Sequence, residues 1–161
     1  MKGGGMKKRN ATRFIIAAAV VFLVAACGGG GGGGGSCPTT EPETCIDNLS
    51  GTWTVTDTVH TSSEYCAGAD GFTNTYTATV TQVGCAITVV IADAGTFHGF
   101  VDGNTLCWTG SYPFNDGTTT ITGMSIQGND AGTAFDGSSS WTWTDGFGNC
   151  EGTTTTTGTK N

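Results

Sequence analysis

The side chains able to do chemistry are few and far apart. His60 and His98 stand alone in the sequence, and neither Gly-x-Ser-x-Gly, His-Glu-x-x-His nor a phosphate-binding loop accompanies them. An isolated histidine is a surface or hydrogen-bonded residue before it is a catalyst. Thirteen acids are present, and a pair brought together in space would suffice for acid–base hydrolysis. Asp70, Asp102, Asp116, Asp136 and Asp145 each precede glycine, however, which turn geometry already explains. Asp145, Asn149 and Glu151 fail the EF-hand spacing for Ca²⁺. The expectation is no catalytic residue, no metal ligand, no cofactor and no enzymatic activity. Beyond Cys27, the cysteines are Cys37, Cys45, Cys66, Cys85, Cys107 and Cys150, without a CxxC pair. That spacing gives little support to a zinc cluster or a thioredoxin-like redox site. An even number in an exported chain implies a complete set of disulfides.

Export is indicated upstream. Lys2, Lys7, Lys8, Arg9 and Arg13 precede an apolar run from Phe14 to Ala26. The run suits a signal-peptide core and falls short of the ~20 residues that span a bilayer. Its end, Leu23-Val24-Ala25-Ala26-Cys27, resembles the lipobox of bacterial lipoproteins. The resemblance implies cleavage of a signal peptide, residues 1–26, and acylation of Cys27, with diacylglycerol on its sulfur and often palmitate or a similar chain on its amine. Two or more acyl chains give a stable membrane anchor where one is marginal. Residues 27–36 then form the lipidated cysteine and a tether, in which Gly28 to Gly35 is a random coil reaching roughly 16 Å. Glycine rather than aspartate after Cys27 favours, by the same resemblance, the outer membrane; a Gram-positive cell surface is the alternative.

Loss of the signal removes five of six basic residues and none of the acids, leaving Lys160 alone against thirteen carboxylates, a formal charge of −12. A domain with one cation cannot neutralise a phosphate backbone, which excludes nucleic acid as a partner. The charge favours solubility and separation from the lipid surface.

The elements that position any site are strands. Residues 37–48 are acidic, contain proline and show no periodicity, and are expected to form an N-terminal cap. From Leu49 to Asn161 apolar and threonine residues alternate, as in Trp53, Val55 and Val59 against Thr52, Thr54, Thr56 and Thr58. Period two with β-branched and aromatic residues marks half-buried strands. Turn residues divide the segment into eight, near 51–60, 72–83, 85–92, 96–101, 104–112, 118–127, 133–144 and 150–160. Every link but the first is short, which predicts an all-β domain, 49–161, closed as an eight-stranded antiparallel up-and-down barrel. A β-sandwich is the alternative but ordinarily needs a long crossover.

Gly51-Thr52-Trp53 at the start of the first strand resembles the Gly-x-Trp signature of lipocalins and the wider calycin group, avidin-like barrels included. The resemblance implies a barrel in which a basic residue late in the last strand packs over that tryptophan at the closed end; Lys160 is so placed. It does not extend to biotin-binding residues, whose pattern does not align. The up-and-down count puts Cys66 and Cys150 at one end and Cys85 and Cys107 at the other, so the expected bridges are Cys66–Cys150, Cys85–Cys107 and, within the cap, Cys37–Cys45. Cys85 shares the parity of inward Ile87 and Val89 while Cys107 opposes inward Leu106 and Trp108, a mismatch that a bulge would have to absorb.

Trp53, Val55, Tyr76, Val80, Ile87, Val89, Phe97, Val101, Leu106, Trp108, Ile121, Phe135, Trp141 and Trp143 form the expected inward set. Trp108, Trp141 and Trp143 are a heavy aromatic investment for a small core, and with Tyr76 they are the expected lining for a small apolar or amphipathic ligand. The leading expectation is a cell-envelope lipoprotein that binds such a ligand in its barrel. The alternative is a structural or protein-binding envelope module with a solid core. The sequence does not point to a particular protein partner.

Overall fold

The computed structural model describes residues 37–161; the expected signal peptide, the expected acylation at Cys27 and the expected tether lie outside the described residues. Alternation gives each segment one apolar face, and short turns force neighbours to pair antiparallel. The strands are β1 (Gly51–His60), β2 (Thr73–Val83), β3 (Ala86–Ile91), β4 (Gly95–Asp102), β5 (Thr105–Phe114), β6 (Gly117–Gly128), β7 (Ala134–Thr144) and β8 (Asn149–Lys160). They pair in sequence order, and β1 pairs with β8 to close the barrel. Closure leaves no free sheet edge. The long first connection carries a short 3₁₀ segment, Glu64–Ala69, which the sequence reading did not anticipate.

One inserted residue sets the inner face. β6 steps from Ile121↔Trp141 to Gly123↔Ser140 against β7, two residues of β6 facing one of β7, a β-bulge at Thr122. The bulge reverses parity, so Thr119 and Ile121 point inward before it and Met124 and Ile126 after it.

The two ends of the barrel differ. At the end holding the first residues of β1, Trp53 is fully buried, stacks on Phe135 at 4.7 Å between ring centroids and donates its indole N–H to the Leu49 carbonyl at 2.9 Å. Trp53 and Lys160 are register partners. The lysine stem runs against Gly51 and its ammonium donates to the Asn48 carbonyl at 2.6 Å. Large rings are accommodated by glycines beside them: a Cβ on Gly158 would collide with the Phe135 ring, on Gly152 with Trp141, and on Gly117 with Trp143.

Two of the three expected disulfides are corrected. Cys66–Cys150 forms, but Cys37 bonds Cys107 and Cys45 bonds Cys85, with Cα separations of 5.3 and 5.6 Å. The cap does not close on itself. Residues 37–48 form a strap across the closed end: Ile46 N–H donates to the Gly103 carbonyl and Gly103 N–H to the Thr44 carbonyl, beside a parallel bridge of Cys45 with Gly103. Cys107, outward between inward Leu106 and Trp108, is covered by the strap rather than reached from inside, which resolves the parity conflict.

Candidate functional site

The opposite end is open. There the connections β1–β2, β5–β6 and β7–β8 surround a cavity of about 230 Å³. Its wall is aromatic, with Tyr65, Tyr112, Phe114, Trp141 and Trp143, and its rim includes Asp116 and Asp145. Alternation along β7 puts Trp141 and Trp143 on the inner face near the mouth. Trp143 is fixed by its indole N–H, which donates to the Phe114 carbonyl at 3.1 Å. Cys66–Cys150 ties the 3₁₀ segment across part of the opening, where Ala69 packs on Val59 with Cys66, Phe72, Phe114 and Trp141 around them. Tyr65 from that segment lies 6.1 Å from Trp143 between ring centroids and donates its hydroxyl to Asp145 at 3.1 Å. Asp145 also accepts the backbone N–H groups of Phe147 and Gly148. The Gly148 and Phe147 bonds hold its carboxyl below the usual range.

Beneath the mouth the barrel interior is polar. Asp57, Thr119, Ser139, Thr154 and Thr156 are all buried. Asp57 continues the inward parity of Val55 and Val59 and pairs with Thr156, while Val59 pairs with Thr154. Tyr76 donates its hydroxyl to one Asp57 oxygen at 2.9 Å. The other oxygen, Oδ1, and the hydroxyls of Thr154 and Thr156 have no hydrogen-bond partner within the protein. Unpaired buried oxygens carry a desolvation cost of about 1–3 kcal/mol each, which a hydrogen-bond donor entering the site would offset.

Burial pushes the Asp57 carboxyl well above its ordinary value of 3.8, with the Tyr76 hydrogen bond opposing only in part. Folding therefore takes up a proton in the interval between 3.8 and the folded value. The stabilisation is complete below that interval and is lost as pH rises through it. The domain is expected to lose stability as pH rises above the ordinary carboxylate range, and Asp57→Asn to flatten the curve, read from urea midpoints in acidic and in neutral buffer. Burial raises Asp136 as well, so some slope remains in the variant.

Of the residues expected to line a ligand site, Trp141 and Trp143 reach the open-end cavity. Tyr76 sits below it, joined to Asp57. Trp108 lies elsewhere in the core, paired with Gly99 and with its backbone N–H on the Met124 sulfur. Gly51, Trp53 and Lys160 occupy the closed end. Both histidines are on the outer face, His60 bonded to Thr155 and His98 to Thr88. Among the described residues no group of three His, Cys, Asp or Glu side chains comes together to hold a metal. The sequence reading missed Asp57, Tyr112, Thr154 and Thr156. For Asp57 the signal was present, a charged residue at an inward position between two valines.

Fold and site define a closed eight-stranded up-and-down barrel with a solid lower core, a buried polar layer and an aromatic mouth. No protein-family model matches the chain, and neither a curated protein nor a solved structure matches it.

Proposed function

We propose that the protein is a non-enzymatic cell-envelope lipoprotein with a calycin-like barrel that binds a small amphipathic molecule through its open end. The observation that carries this reading is the aromatic cavity whose wall includes Thr154, a buried hydroxyl without a protein partner, with Thr156 and Asp57 next along the inner face. An apolar wall with a few convergent polar atoms is the usual composition of a small-molecule site. The rival, a solid structural module, accounts for the Trp53 end but not for a polar layer in the interior. Attachment rests on the basic region, apolar run and Cys27 in order, supported by the oxidised cysteines beyond it.

The test is native mass spectrometry on the full chain carrying Cys27→Ser, purified from an oxidising compartment. A reproducible one-to-one adduct is expected. A clean mass from several expression hosts, with no shift of tryptophan emission on exposure to cell extract, overturns ligand binding in favour of the solid module. The same substitution is expected to move the protein from membrane to soluble fractions; retention in the detergent phase would defeat lipid anchoring.

A further inference from the structure

If the barrel is a binding protein, its chemistry restricts what it binds. The mouth has aromatic faces and two acidic side chains, Asp116 and Asp145, in its lining. Aromatic faces attract cations through the ring quadrupole and carboxylates do so by charge. Lys160, the only lysine or arginine among the described residues, is held by Asn48 at the opposite end. Nothing in the cavity wall therefore offers a positive charge to an anion.

The inner end repeats the same preference. Thr154 lines the cavity, is 1% exposed, and its hydroxyl has no protein partner. Two residues further along the inward face of β8 is Thr156, about 7 Å deeper, and across from it is Asp57 with one unpaired carboxylate oxygen. All three atoms are oxygens that can accept. A primary ammonium carries three donors and no acceptor. An alcohol supplies one donor, and a carboxylate brings no positive charge to pair with Asp57.

We infer that the barrel takes a small primary ammonium with an aromatic or alkyl body, its charged end directed toward Thr154 and Asp57 and its body between Trp141, Trp143 and Tyr112. On binding, the ammonium takes the place of the proton that burial holds on Asp57; that proton leaves to solvent, and the resulting carboxylate, oriented by Tyr76, is the buried counter-ion. The aromatic wall supplies contact area, and the acidic rim favours entry of a cation.

Three probes of similar size separate the possibilities: 2-phenylethylamine, 2-phenylethanol and 3-phenylpropionate, titrated into the Cys27→Ser chain by calorimetry and tryptophan fluorescence. The amine is expected to bind at least about tenfold tighter than the alcohol, since hydrogen bonds to a charged group contribute about 1.5–3 kcal/mol. The propionate is expected not to saturate the site. Asp57→Asn should erase the amine's advantage and leave the alcohol unchanged; Thr154→Val, which keeps shape and removes the hydroxyl, should weaken the amine several-fold and serves if the Asp57 variant does not fold. Equal binding of amine and alcohol overturns the ammonium assignment and leaves the binding-protein reading intact, as does tighter binding of the propionate. An amine affinity unmoved by both substitutions overturns it too. Failure of all three probes while the native protein carries an adduct refutes the assignment alone; failure of all three with a clean native mass removes both.

Discussion

Replacing Cys66 and Cys150 together by serine is expected to lower the unfolding free energy by about 4 kcal/mol. The bridge joins residues 84 apart, and a closure of that length restricts the unfolded chain strongly in the loop-entropy account. The effect extends to the native state, because this bond holds the 3₁₀ segment Glu64–Ala69 at the mouth, where Ala69 packs on Val59 and Tyr65 approaches Trp143. Two readouts follow. The urea midpoint should fall, and tryptophan emission of the still-folded variant should shift to the red as Trp141 and Trp143 gain access to water. A midpoint change below about 1 kcal/mol would mean that the unfolded chain is already restricted there. A full stability loss without the emission shift would mean that the segment stays docked through Tyr65 and Ala69 alone.

The second large effect belongs to the closed end. Trp53→Ala is expected to cost about 3–5 kcal/mol, the range for emptying a large aromatic site in a core that cannot collapse. The ring is fully buried against Phe135 between strands fixed by closure, and its loss also strips the Leu49 carbonyl of its donor. Trp53→Phe keeps most of the contact and removes the indole N–H, and should cost about 1–3 kcal/mol through the unsatisfied carbonyl. Chemical denaturation measures both. Phenylethylamine binding by the folded Trp53→Phe variant should match that of the parent, because Trp53 sits at the far end from the mouth. A comparable loss of affinity would join the two ends into one cooperative unit and contradict the division described above.

The strands and their closure were legible because alternation and short turns act locally: β1 through β8 begin and end within two residues of the segments read from the sequence. What failed was what local pattern does not carry. Residues 37–48 have no periodicity, so their path across the closed end could not be followed, and the partners of Cys37 and Cys45 could not be assigned with it. The run Thr153-Thr154-Thr155-Thr156-Thr157 is uniform, so the inward face of β8 has no compositional contrast; only pairing with Val59 and Asp57 shows that Thr154 and Thr156 are the buried ones. The bulge at Thr122 likewise hid Met124 and Ile126, which a strict period of two places on the outer face. Asp57 is legible in the sequence as a charged residue at an inward position between Val55 and Val59, although it breaks the apolar stripe that marks that face. Trp141 and Trp143 were found because size and parity alone brought them to the inner face.

The strap has a mechanical meaning. A chain entering at Cys37 is bonded to the wall of the barrel at Cys107 and again, eight residues on, at Cys45 with Cys85. Tension applied from ahead of residue 37 therefore passes through sulfur–sulfur bonds into β5 and the turn between β2 and β3 before it loads the hydrogen bonds that join β1 to its neighbours. Those bonds would otherwise yield first by peeling from the end of the chain. Since the strap crosses the closed end, the domain under load hangs by its floor with its opening directed away from the point of suspension.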